Sequence, residues 1–139
     1  MKKILVGVDG SPESRRAVEQ AIDLAAATGA RMTIAHVVSP PAALAPDAPY
    51  FERWDFAVRE QAGKLVEDVA ALCRKGGIAV ETATPVGNPG ETLASMASQP
   101  DIDLVVVGHR GRGAISRVLL GSVADRVVQI SPKSVLVAR

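Results

Sequence analysis

Residues 104–128 read LVVVGHRGRGAISRVLLGSVADRVV. The stretch opens on an apolar run that ends at Gly108. From Gly108 to Asp125, four glycines and three arginines fall within eighteen residues. Ser122 then leads into Val123, Ala124, Val127 and Val128, spaced like one face of a helix. The run at 102–108, IDLVVVG, is the most apolar in the chain. A short apolar run without alternation marks a strand buried on both faces, as in the middle of a parallel sheet. The order is strand, glycine-rich loop, helix.

The same alternation extends outward. KILVGV at 3–8 is a β-prone run, and DGSPES turns the chain after it. There Ser11 is a candidate N-cap and Pro12 a first helical residue. Ala17, Val18, Ala21, Ile22 and Ala25 recur at helical spacing up to Gly29. RMTIAHVV at 31–38 is a second strand. Prolines 40, 41, 46 and 49 make a loop, and a long helix follows to Lys75. Its expected buried stripe is Val58, Ala62, Leu65, Val66, Val69, Leu72 and Cys73, with Gly76 and Gly77 as the stop. IAVETATPV at 78–86 alternates more than the other runs, which predicts an edge strand. Asn88 and Pro89 cap and start a short helix through Met96. Ser122 is read as the cap of the last helix, which Pro132 ends, and SVLVA at 134–138 is the fifth strand. Five strands alternating with four helices predict βαβ units. The fold class is α/β, a parallel sheet with helices on both faces. Ligands of such sheets bind beyond the carboxyl ends of the strands, at the switch in strand order. The length, 139 residues, fits one domain over 1–139.

Charge is uneven. The chain carries a net +1, yet residues 1–107 hold 10 Lys+Arg against 14 Asp+Glu, while 108–139 hold 6 against 1. A local basic surface on a nearly neutral chain suits a small anionic ligand, or is a solvated basic face. A nucleic-acid binder is usually more basic. The N-terminal apolar run meets Asp9 before it reaches signal-peptide length, and no run approaches the ~20 residues of a membrane span. Cys73 is the single cysteine, so no intrachain disulfide forms, and it is read as a small buried hydrophobe. These features predict a soluble, cytoplasmic protein.

The glycine loop is neither of two common phosphate motifs. No Gly-Lys-Ser/Thr follows Gly108 at Walker spacing, and Gly108, Gly111 and Gly113 have the gap order of G-x-x-G-x-G rather than that of the dinucleotide fingerprint. Its place at the end of a buried strand is more telling. The N–H groups of Gly121, Ser122 and Val123 are expected unpaired at the start of a helix, at the positive end of its dipole. That arrangement binds phosphate without a dedicated side chain. Gly113 and Gly121 leave room for an anion, and the Ser122 hydroxyl can donate to it or cap the helix.

The full spacing, Gly108-x2-Gly111-x9-Gly121-Ser122, resembles the ATP-binding branch of the universal stress protein family, which carries G-x2-G-x9-G-[ST]. The resemblance covers essentially the whole chain, including KKILVGVDGS at the start, AHVV closing the second strand and SPKSVLVA at the end. It implies an adenine nucleotide alpha hydrolase-like sheet of strand order 3-2-1-4-5. It implies ATP, with Mg²⁺ arriving on the nucleotide. Asp9 would sit near the adenine and ribose, and Val37 would contact the adenine. Gly108 and Gly111 would let the backbone close on ribose and phosphates, and Gly121, Ser122 and Val123 would take the phosphates. It also implies a homodimer through the C-terminal strand, whose flanks carry only Lys133 and Arg139. No contact is assigned to Arg110, Arg112 or Arg117.

Other residues are weighed and set aside. Asp9 lacks the acidic cluster of a phosphoacceptor site. His36 reads as a packed strand-end residue and His109 as a loop residue, solvated or beside the phosphates; two histidines make no ordered metal set. No Ser-His-Asp grouping is evident, so no catalytic residue is assigned. Tyr50, Phe51, Trp54 and Phe56, all four aromatics of the chain, either anchor the second helix on the sheet or form a lid or partner surface. Three functions compete. The first is an ATP-binding stress protein acting as a switch or sensor. The second is a slow ATPase or nucleotidyl-handling enzyme, which lacks an evident catalytic base or metal carboxylates. The third is a nucleic-acid binder using the GxxG of 108–111, but that module joins two helices, whereas Gly108 ends a strand.

Overall fold

The computed structural model describes residues 1–40, 47, 50–110 and 119–139. In chain order these form β1 (Lys3–Gly7), α1 (Pro12–Thr28), β2 (Arg31–Ala35), α2 (Phe51–Lys75), β3 (Val80–Ala83), α3 (Pro89–Ala97), β4 (Ile102–Gly108), α4 (Ser122–Ile130) and β5 (Ser134–Ala138). The strands make one sheet in the order β3-β2-β1-β4-β5, with every pair parallel. The expected architecture and strand order are both present.

Pleating divides the apolar runs between two cores. Ile4 and Val6 of β1 join Ala17, Val18 and Ala21 of α1 and Val66 and Cys73 of α2. Leu5, between them, joins Leu93 and Ala97 of α3 and Ala124 and Val127 of α4 on the other face. Because both faces are covered, β1 and β4 need no polar alternation. Cys73 is fully buried, and that burial pushes its thiol pKa up, so it packs as a small apolar residue.

Local capping follows the sequence at two helices. The Ser11 hydroxyl accepts from the Ser14 N–H at 3.1 Å ahead of Pro12, and Asn88 accepts from the Glu91 N–H at 3.1 Å ahead of Pro89. At α4 the expectation fails. The cap is Gly121, in extended conformation, and Ser122 is the first helical residue. The stripe of α2 also differs, with Ala62, Val66, Ala70 and Cys73 buried but Leu72 43% exposed. Small residues let α2 approach the sheet, and the larger Leu72 lies at the flank of that contact. β2 stops at Ala35 rather than Val38. Beyond it the His36 N–H donates to the Ala83 carbonyl at 3.0 Å, but Pro85 has no N–H to return to the His36 carbonyl and interrupts the ladder; pairing resumes at Val38, whose N–H donates to the Pro85 carbonyl at 2.8 Å and whose carbonyl accepts from the Gly87 N–H at 2.9 Å.

The amino edge of the sheet is closed by charge. Lys3 is 7% exposed, and its ammonium donates to Glu81 at 2.6 Å and pairs with Asp101 at 2.8 Å. Thr33 donates its hydroxyl to the same Glu81 oxygen at 3.0 Å. The bonds to Asp101 and then Glu81 raise the Lys3 pKa, and the bond from Lys3 lowers both carboxyls. At the carboxyl edge the chain leaves β1 toward β2 on one side and has β4 on the other. That reversal of strand order opens a crevice.

Candidate functional site

A cavity of about 430 Å³ lies beyond the carboxyl ends of β1, β2 and β4. β1 contributes Gly7, Val8 and Asp9 to its wall. The Ser11 N–H donates to the Asp9 carboxylate at 2.9 Å, an Asx turn that fixes the carboxylate beside the crevice. Gly10 completes the turn at φ 82°, in the left-handed region. The β2 side adds Ala35, His36, Val37, Val38 and Ser39. His36 Nδ1 lies 2.8 Å from the Val8 carbonyl, which can only accept, so Nδ1 carries the proton and donates. His36 is thus a strut between two strand ends, in keeping with the packed reading.

β4 supplies Val107 and Gly108, and Arg110 follows. A Cβ on Gly108 would come within 2.8 Å of the Glu13 carbonyl carbon and 2.9 Å of the Ser14 nitrogen. The glycine is therefore demanded by the first turn of α1, which crosses the strand end at backbone contact. The sequence explanation for Gly108, room for a ligand, had missed this cause. His109 closes the base of the loop. Its N–H donates to the Ala138 carbonyl at 2.7 Å, and its carbonyl accepts from the Gly121 N–H at 2.8 Å. Gly121 therefore does not offer the unpaired N–H expected of it. The His109 Nε2 is buried with no hydrogen-bond partner among the described residues.

α4 begins against this cavity, with Val123 and Ala124 in the wall. Its first intrahelical bond is from the Asp125 N–H to the Gly121 carbonyl, at 2.9 Å. The N–H groups of Ser122, Val123 and Ala124 precede that bond and have no intrahelical acceptor. They form the positive end of the helix dipole. A helix start of this kind has the geometry that binds an anion or a phosphate.

Of the residues singled out from the sequence, Asp9, Val37, Gly108 and Val123 meet around one cavity. Gly121 and Ser122 stand at the same helix start but are not in the cavity wall. Gly111 and Gly113, with Arg112 and Arg117, lie outside the described residues. Sequence reasoning missed Trp54 and Val58 of α2 and Pro89 and Leu93 of α3, all in the wall. The aromatic cluster was the visible signal for Trp54. Nothing local marked the α3 residues, whose place depends on how α3 crosses the sheet. Among the described residues no three His, Cys, Asp or Glu side chains are grouped to hold a metal ion, and no helix is long and apolar enough to cross a membrane.

The family model described as the universal stress protein family matches residues 1–139. The chain belongs to the universal stress protein family. A relative from Thermus aquaticus, the universal stress protein in the QAH/OAS sulfhydrylase 3′ region, is 35% identical over 99% of this chain and 98% of its own length. Universal stress protein UspA from Lactobacillus plantarum superposes with a TM-score of 0.90 at 29% identity, over 99% of this chain and 97% of the other. A universal stress protein solved in complex with cAMP is 32% identical, with a TM-score of 0.67 over 99% and 96% of the two chains.

Proposed function

We propose that this universal stress protein binds ATP at the switch-point cavity and acts as a nucleotide-dependent switch or sensor in a cytoplasmic stress response. The observation that carries the reading is the start of α4 against a cavity whose wall also holds apolar side chains. Three N–H groups without an intrahelical acceptor face an anion there, while Val37, Val38 and Val58 suit a flat base. The cAMP complex of a 32% identical family member supports an adenine nucleotide as the occupant. In this reading Ser122 and Val123 hold phosphate through the backbone, and the Ser122 hydroxyl, not spent on capping, donates to a phosphate oxygen. Gly121 shapes the helix start, and Gly111 and Gly113 complete the loop. Asp9 accepts from the ribose, and Val37 lies against the adenine. Mg²⁺ comes with the phosphates and keeps most of its waters. Mass spectrometry of the purified protein under native conditions, followed by calorimetric titration with ATP, tests this. Co-purified adenine nucleotide, or binding of added ATP, is expected. Protein that neither retains nor binds one overturns the reading.

The working unit in this proposal is a homodimer of the 1–139 domain through β5. β5 pairs only with β4, so its outer edge carries unpaired backbone groups among the described residues. Beside it α4 leaves Val128 51% and Ile130 37% exposed. Two-fold pairing of β5 edges would satisfy the first and cover the second. Val135 and Val137 pack inward against the α3/α4 core, so the clean disrupting variant is Val128→Asp. Light scattering should give twice 14.5 kDa for the native chain and a monomer for the variant. A native monomer at micromolar concentration overturns the dimer.

A further inference from the structure

We infer that Trp54 is a base-contacting residue of the switch-point cavity, its indole closing over the ring of a bound nucleobase. The inference rests on the nucleotide reading above and assigns to that site a residue that lies outside the glycine motif.

Trp54 sits in the first turn of α2, where its N–H donates to the Tyr50 carbonyl at 3.1 Å. It is half-buried and lines the cavity together with Val58, one helical turn later. Among the described residues it belongs to neither core cluster. The buried residues of α2 begin only at Ala62, so the first eleven residues of the helix do not anchor in the core. Among the described residues the aromatic cluster adds no side chain to either core. Tyr50 and Phe56 are 67% and 71% exposed. Phe51 packs on Trp54 with ring centroids 5.6 Å apart and planes inclined at 41°, which buttresses the indole from the side.

A large flat apolar ring held at a cavity wall, outside any core, is shaped for a planar partner. The cavity offers both kinds of surface. The wall that holds Trp54 also holds Val37, Val38 and Val58, together with Arg110 and the first turn of α4. A ligand with a π-faced base and phosphates suits that combination. Stacking on an aromatic side chain is tolerant of base identity but requires a base. Trp54 should therefore contribute to the nucleoside half of the affinity and nothing to the phosphate half.

Trp54 is the single tryptophan of the chain, so its fluorescence reports on the site directly. The probes are ATP, adenosine and inorganic tripolyphosphate, titrated by fluorescence and calorimetry into the native chain, Trp54→Ala and Trp54→Phe. ATP and adenosine should each change the indole emission, and tripolyphosphate should leave it unmoved. Trp54→Ala should weaken ATP and adenosine alike by about ten- to a hundred-fold, leave tripolyphosphate affinity unchanged and keep the native circular dichroism. Trp54→Phe should recover most of the loss. ATP binding with unmoved emission and full affinity in Trp54→Ala overturns the inference and leaves the nucleotide reading standing. Equal loss for tripolyphosphate also overturns it, because the indole would then act on the phosphate end. Failure of the native chain to bind ATP removes both.

Discussion

The two ends of the sheet solve opposite problems. At the amino edge one buried ammonium, on Lys3, is held between Glu81 and Asp101 at 2.6 and 2.8 Å, with Thr33 adding a further bond to Glu81. Each of these three charges has its partner within the chain. At the carboxyl edge the start of α4 stands against a cavity, with Val123 and Ala124 in its wall. The Ser122, Val123 and Ala124 N–H groups have no intrahelical acceptor. The difference lies in what each end is built from. Long side chains can reach across strands and neutralise one another. Backbone groups at a helix start cannot move to find a partner, so they stay without an intrahelical acceptor.

The largest effect is expected from Gly121→Val. Its backbone, at φ −67° and ψ 157°, accepts a valine, so the fold should survive. The branched side chain would stand where the anion approaches and should weaken ATP at least about a hundred-fold, roughly 2.7 kcal/mol. Calorimetry on the folded variant decides, and undiminished affinity would detach the α4 start from the site.

Gly108→Ala comes next and breaks the same end by another route. The new Cβ meets α1 backbone at 2.8 Å, which cannot rotate away as a side chain would. A loss of about 1–3 kcal/mol of stability is expected, read from urea unfolding, together with weaker ATP binding as α1 is displaced from the cavity rim. A variant as stable as the native chain would mean that the α1 approach is not what requires glycine.

The smallest effect belongs to the closed end. Glu81→Gln with Asp101→Asn leaves Lys3 without a carboxylate, and stability should fall at neutral pH while ATP affinity stays the same. The pH dependence has a definite sign. Both carboxyls are depressed from their ordinary values of 4.5 and 3.8, chiefly by the bond from Lys3. Their contribution is present above those values and lost as pH falls through the lower, folded ones. The gap between the native chain and the double variant should therefore close in acid. Lys3 works in the other direction, since its raised pKa keeps its contribution up to pH 10.5 and loses it above. A gap that persists in acid, or a changed ATP affinity, would show that the two ends are not separable.

The elements and their order were legible because their rules are local. A serine or asparagine cap followed by proline acts within three residues, and an apolar run announces a doubly covered strand by itself. Ser11–Pro12, Asn88–Pro89 and the runs at β1 and β4 needed nothing from the rest of the chain. The glycine spacing likewise marked the loop before α4. What tertiary structure decided are contacts between distant segments. Lys3 meets Glu81 across 78 positions because β1 and β3 flank β2. Gly108 must be glycine because α1, some ninety residues earlier, crosses the strand end. Gly121 loses its free N–H to His109 only when the loop returns to its own base. Trp54 faces the cavity because the core-bound half of α2 begins at Ala62 and carries the helix start past the strand ends. Local hydrogen bonding and periodicity are written residue by residue. Which side chain closes a cavity depends on how whole helices pack, and no short stretch of sequence contains that.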